Sequence, residues 1–239
     1  MLEAWLEERT MQSIAAENNL AETAFFVRTR DGYDLRWFTP SQEVDLCGHA
    51  TLASAFVIFH VLDTSAGTVT FSSKSGPLSV VRDGDRLSMR FPRREPVPCD
   101  APPALLQGLG VPHPLEVLRS RDYLAVYGSA AEVRSLKPDM NLLSSLDALG
   151  VIVSAPGEGS EADFVSRFFA PGAGVSEDPA TGSSHCTLVP YWARRLERTM
   201  LHALQVSARG GELFCKDEAD AVVIAGSAVL YLDGMIQVP

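Results

Sequence analysis

The chain has 239 residues, 46% hydrophobic and 21% charged, with a formal net charge of -10, which suits a globular protein of one large or two small domains with an ample core. The acidic balance and scattered basic residues argue against nucleic acid as a partner, and no apolar run has the length that spans a bilayer. Early acids in Met1-Leu2-Glu3-Ala4 do not make a secretory signal, and Cys47, Cys99, Cys186 and Cys215 lie far apart without a metal-ligand pattern, which points to a reducing cytoplasm.

The predicted elements begin with an amphipathic helix over Leu2 to Asn18, with Leu2, Leu6, Ile14 and Ala15 on one face. Two strands, Thr23 to Arg28 and Tyr33 to Phe38, flank a hairpin signal at Asp31-Gly32. Ala50 to Leu62 is apolar almost all round, the mark of a buried helix. Strands follow at Val69 to Phe71, Leu78 to Arg82 and Leu87 to Phe91. Then Pro92, Pro96, Pro98, Pro102 and Pro103 favour extended chain and mark a boundary. Beyond it come strands Leu115 to Leu118 and Tyr123 to Val126, a helix Met140 to Leu149, strands Val151 to Ser154 and Phe164 to Phe169, and a buried helix Gly182 to Leu196. Strands Ala203 to Ala208, Glu212 to Lys216, Ala221 to Ile224 and Ala228 to Asp233 close the chain. The division is 1–95 and 96–239, and the last strand is free to return to the first half.

Two stretches repeat one plan. Arg36-Trp37-Phe38-Thr39-Pro40 leads through a loop to Cys47-Gly48-His49, and Arg167-Phe168-Phe169-Ala170-Pro171 leads through a longer loop to Asp178-Pro179-Ala180-Thr181-Gly182-Ser183. Each reads as a strand, a proline-marked loop, and a glycine opening a buried helix. The duplication predicts an α+β protein of two similar halves, each wrapping strands around one helix. Helix starts carry free N–H groups and about half a positive charge, so two facing one cleft suit a small substrate bearing a carboxylate.

The chemistry-bearing residues gather at these points. Glu22 lies between a helix end and the apolar strand Thr23-Ala24-Phe25-Phe26, where partial desolvation would lift its pKa toward that of a proton shuttle. His49 follows Gly48 at the helix start, whose field favours a neutral imidazole able to donate one hydrogen bond and accept another. Asp178 lies just ahead of the second glycine, opposite His49 by the duplication. Each has a purely structural reading too: an exposed strand-start glutamate, a packed histidine, a helix cap. Cys47 invites a nucleophile reading, because thiols near helix starts ionise more readily. A two-thiol mechanism would want a matching cysteine beside Ala180-Thr181-Gly182, where Pro179 stands instead.

Met11 to Phe25, Arg36 to Ala55, Arg167 to Arg195 and Ser207-Ala208-Arg209-Gly210-Gly211-Glu212 together resemble the PhzF-like proteins of phenazine biosynthesis, relatives of diaminopimelate epimerase. The resemblance implies two half-barrels, each a mostly antiparallel sheet around a central helix, a homodimer, and no cofactor. It implies that Glu22 matches the catalytic acid/base, that His49, Asp178 and Ser183 match substrate-contacting positions, and that Gly48 and Gly182 open the two helices. The expected activity is isomerisation of a small carboxylate-bearing metabolite by proton transfer. A non-catalytic small-molecule binding protein on the same scaffold is the alternative, and an epimerase proper is disfavoured by Pro179. Members of the family begin with a strand and a Gly-Asn-Pro segment before the first helix, and this chain starts inside that region. The expectation is a bare sheet edge, lower stability than an upstream-extended chain, and weaker ligand binding.

Overall fold

The computed structural model describes residues 1–159 and 161–237. Helix α1 (Glu8–Asn18) ends at Asn19, in the left-handed region at φ 48°, and turns the chain into β1 (Thr23–Arg28) and β2 (Tyr33–Phe38). The short β3 (Glu43–Val44) folds back on β2 and delivers the chain to α2 (Gly48–Val57), which runs into a π turn at Ile58–Leu62. Strands β4 (Thr68–Ser73), β5 (Gly76–Asp83) and β6 (Arg86–Pro92) complete the wrapping of α2.

The second half starts with β7 (Val97–Pro98) and α3 (Pro103–Leu109), followed by β8 (Glu116–Arg119) and β9 (Tyr123–Val126). After α4 (Ala130–Ser135) and α5 (Met140–Ser144) come β10 (Val151–Pro156), β11 (Phe164–Ala170) and the return strand β12 (Val175–Asp178). Helix α6 (Gly182–Leu196) then leads to β13 (Met200–Gln205), β14 (Gly211–Asp217) and β15 (Ala221–Gly226).

Among the described residues these strands form one continuous sheet, ordered β1-β2-β4-β5-β6-β15-β14-β13-β11-β10-β9-β8-β7. Most pairs are antiparallel; β2–β4, β9–β10 and β11–β13 are parallel. One core cluster surrounds both α2 and α6 and includes Trp37, Phe59, Phe71, Phe91, Phe164 and Trp192. A second packs α3, α4 and α5 on the other face of β9, β10 and β11. The mixed α+β architecture follows: sheet covers α6 from several sides and buries Ser184 to Ala193. By contrast, α2 buries one face through Ala50, Thr51, Ser54 and Ala55 and leaves Ala53, and His60, Val61 and Leu62 of the π turn, exposed, so the all-round burial expected of Ala50 to Leu62 is not met.

The repeated motif has a common structural cause. Arg36 on β2 meets Glu43 of β3 at 2.7 Å, and Arg167 on β11 meets Glu177 of β12 at 2.8 Å. Each bidentate arginine clamps a return strand to its parent, and the return strand aims the chain at a helix-opening glycine. Pro190 lies inside α6 and has no N–H for the carbonyl of Cys186; the backbone of Arg94 supplies it instead, at 3.0 Å.

Three expected elements come out differently. The first helix starts at Glu8, not Leu2: the Leu2 N–H donates to Phe26 O at 2.9 Å, so the first residues lie extended along β1. Leu2, Leu6 and Ile14 still pack together against Met11, Ala15, Phe25 and Phe38. The helix from Met140 stops at Ser144, where the Ser144 and Ser145 hydroxyls donate to Asn141 O and Leu142 O. Ala228 to Asp233 pairs with no strand among the described residues and is largely exposed, because alternation makes a strand only beside a partner.

Candidate active site

Gly48 and Gly182 occupy the first positions of α2 and α6, and the two helix starts nearly touch. A Cβ built on Gly48 would lie 3.8 Å from Gly182 Cα and 3.1 Å from Phe91 Cζ. Around this contact is a cavity of about 50 Å³ lined by Glu22, Leu46, Cys47, Gly48, His49, Phe91, Asp178, Thr181, Gly182 and Ser183. Glu22, His49, Asp178, Ser183 and both glycines, singled out from the sequence, thus share one chamber.

Each side chain reaches it for a local reason. Glu22 leaves the turn after α1 at the head of β1, with its side chain only 13% exposed. His49 projects from the first turn of α2. Its Nε2 lies 2.9 Å from Glu22 Oε2, an ion-pair distance, while that oxygen sits off the N–H axis and has no aligned donor. Its Nδ1 faces the carbonyl of Ala180 at 3.1 Å, so Nδ1 must carry a proton. Both ring nitrogens therefore face acceptors, and the neutral donor–acceptor histidine expected from the helix field is not what forms. Burial opposes a charge on His49, but contact with Cys47 and Glu22 outweighs it and raises its pKa.

Asp178 ends β12 and accepts from Ala180 N–H at 3.3 Å. It does not cap α6; that position is Thr181. Burial pushes the Asp178 pKa up, with the charge of His49 pulling against it. Cys47 is the corresponding cap residue of α2, so its counterpart in the second copy is Thr181 rather than Pro179. The absence of a facing thiol holds either way. Burial drives the Cys47 pKa up, against the expectation of an activated thiolate. Its sulfur lies 3.6 Å from Nε2, the nitrogen that also faces Glu22, so the three side chains do not form a relay through the two ring nitrogens.

Two supporting residues escaped the sequence reading. Gln205, buried on β13, donates to Asp178 O and Thr181 Oγ1 and accepts from Thr181 N–H, fixing the whole approach to α6. Arg121, in the β8–β9 turn, is held by the fully buried Asp122 and donates to Ser183 Oγ at 3.2 Å. With a lone pair so engaged, Ser183 is left to direct its hydroxyl hydrogen into the cavity. Neither residue carries a local pattern. Ser207, in the motif Ser207 to Glu212, donates to Pro179 O and accepts from Gly210 N–H, tying that motif to the same loop.

A sheet-wrapped pair of helices that opens on a chamber of carboxylates and helix-start amides is the architecture this chain shares with proteins named as isomerases. The chain belongs to the PhzC-PhzF family of phenazine biosynthesis-like proteins, whose model matches residues 2–234. Two Pseudomonas aeruginosa proteins, each named an uncharacterized isomerase, are 52% and 49% identical to it. The first match covers 99% of this chain and 90% of the relative, the second 98% and 90%. The crystal structure of a PhzF-family phenazine biosynthesis protein from Enterococcus faecalis superposes with a TM-score of 0.92 at 45% identity, covering 97% of this chain and 88% of that one. A hydroxyproline epimerase from Agrobacterium vitis shares the fold alone, with a TM-score of 0.58 at 11% identity over 94% of this chain and 78% of that one.

Proposed function

We propose that the protein is a cofactor-independent isomerase that moves a proton between carbons of a small carboxylate-bearing metabolite. The observation that carries this reading is the convergence of Glu22, His49 and Asp178, distant in sequence, on one chamber between two helix starts. Glu22 removes the proton: its Oε2 is buried, has no aligned donor, and keeps a lone pair free for a C–H bond. His49, oriented by Ala180, steadies the carboxylate before transfer and takes part in returning the proton. Asp178, raised by burial, serves as the complementary acid at the other end of the substrate. The free amides of α2 and α6, together with the Ser183 hydroxyl, hold the substrate carboxylate and the negative charge that builds up during transfer.

The test is solvent-deuterium incorporation. Purified protein is incubated in D₂O with a panel of small unsaturated and cyclic carboxylates, and label is followed by NMR and mass spectrometry. Incorporation at a carbon that Glu22→Gln abolishes supports the reading. Retention of exchange by Glu22→Gln would overturn it. A panel member that binds without exchanging in any variant would instead favour a binding protein on this scaffold.

A further inference from the structure

Glu22, Cys47 and His49 together make a donor set that proton transfer alone does not require. Each offers one ligand atom, and those atoms lie within 4.8 Å of one another. Thiolate sulfur, imidazole nitrogen and carboxylate oxygen are the ligand types of zinc. A tetrahedral zinc, with bonds of about 2.0–2.1 Å to nitrogen and oxygen and about 2.3 Å to sulfur, holds N and S about 3.6 Å apart and N and O about 3.4 Å apart. Here His49 Nε2 is 3.6 Å from Cys47 Sγ and 2.9 Å from Glu22 Oε2. The carboxylate need withdraw by only roughly half an ångström to match those bond lengths.

Three further features suit a cation. His49 Nδ1 meets the Ala180 carbonyl at 3.1 Å, the orienting contact that metal-ligating histidines almost always make through their other nitrogen. Glu22 Oε2 is buried with no aligned donor, so a metal ion would give it a partner. The adjoining cavity of about 50 Å³ gives a fourth ligand, such as water, a direction of approach. Three protein ligands with one position open is the arrangement of a reactive or exchangeable site, not of a closed structural one. The sequence conceals it, because Glu22 comes from the turn before β1 and the Cys47-Gly48-His49 spacing alone is unremarkable.

We propose that Glu22, Cys47 and His49 form a zinc-binding site, Zn²⁺ displacing the Cys47 thiol proton and the His49 Nε2 proton to solvent, and that the bound ion switches proton transfer off by occupying the Glu22 lone pair. The binding claim stands on the donor geometry; the inhibitory claim rests on the reading of Glu22 as the base. Zinc and substrate proton compete for the same oxygen, so activity becomes a readout of free zinc.

The test uses the full, reduced chain with Co²⁺ as a spectroscopic probe and Zn²⁺ in calorimetry. One Co²⁺ per chain should give an intense thiolate-to-cobalt charge-transfer band and the visible bands of four-coordination, both displaced by Zn²⁺. Cys47→Ser should remove the charge-transfer band and Cys99→Ser should keep it. Glu22→Gln, a change at a partly exposed side chain that removes a direct ligand, should weaken Zn²⁺ binding by at least the roughly 10- to 100-fold typical of a lost outer-shell partner, while leaving the melting temperature nearly unchanged. A band that survives Cys47→Ser, or no band at all, overturns the site. If the site binds Co²⁺ and Zn²⁺ yet saturating Zn²⁺ leaves deuterium exchange intact, the inhibitory claim and the role of Glu22 fall while the site stands. If Glu22-dependent exchange occurs in a chain that binds neither ion, the site falls and the isomerase reading stands.

Discussion

His185 gives this protein a stability that depends on pH in a direction set by the structure. The side chain lies in the first turn of α6, fully buried beside Phe164. Its Nδ1 donates to Thr181 O at 2.7 Å, and its Nε2 is buried without a partner. Burial therefore holds the ring neutral and pushes its pKa down to about 4. In the unfolded chain the same ring titrates near its ordinary value of about 6.5. Between those two values the unfolded chain binds a proton that the folded chain refuses, so stability is complete above about pH 6.5 and falls as the pH drops toward 4. At 1.36 kcal/mol per unit, the loss across the window is about 3 kcal/mol. Urea unfolding followed by tryptophan fluorescence at stepped pH measures it directly. The control is His185→Asn, whose side-chain amide keeps a donor for Thr181 O but does not titrate. The variant should start less stable at neutral pH, by about 1–2 kcal/mol for the volume removed. Its curve should then converge on or cross that of the parent as the pH falls. Groups that titrate in both proteins, such as Asp178, cancel in the difference. Parallel curves for the two chains would refute the assignment of His185 as a buried neutral ring.

Three further outcomes are expected. Glu22→Gln should lower deuterium exchange by about 10²–10⁴-fold with little change in melting temperature, whereas Cys47→Ser should retain most of it in metal-free buffer; equal losses would return the chemistry to the thiol. Gly48→Ala puts a Cβ 3.1 Å from Phe91 Cζ at the helix contact; it should weaken binding of a carboxylate probe such as benzoate by about 10-fold, and unchanged affinity in a titration would show that the probe sits elsewhere. Arg121→Met removes the cation beside the fully buried Asp122 and should destabilise the fold by on the order of 2–3 kcal/mol; adding Asp122→Asn should restore part of that in urea unfolding, and no restoration would deny the pair its role.

The sequence revealed most where a local pattern and its neighbourhood agree. Strands Thr23–Arg28, Tyr33–Phe38 and Tyr123–Val126 and helix Gly182–Leu196 have the bounds expected of them, because Asp31-Gly32 separates the first two and Gly182 opens the helix. The repeated arginine–loop–glycine plan exposed both helix starts, since the same clamp, Arg36 to Glu43 and Arg167 to Glu177, shapes each copy. What stayed hidden depends on distant neighbours. The extended path of Leu2 is decided by the open side of β1, the charge state of His49 by burial and by contact with Cys47 and Glu22, its ring orientation by Ala180, and the hydroxyl of Ser183 by Arg121. No window of adjacent residues contains those facts. Ala228 to Asp233 shows the converse, a strand-like pattern that pairs with no strand among the described residues.

The pairing of β15 with β6 joins the latest strand of the fold to the last strand of its first half, through a register that runs from Ala221 opposite Pro92 to Gly226 opposite Leu87. Backbone hydrogen bonds thus run without a break from the sheet that covers α2 into the sheet that covers α6. A substrate cannot be admitted by swinging two bodies apart on a linker unless this ladder is torn. Entry must come from shear or bending of a single sheet, or from movement of the loops that carry the lining residues Leu46 and Thr181. Amides in β6 and β15 should therefore rank among the slowest to exchange with solvent, and ligand should protect the loops while leaving that seam unchanged.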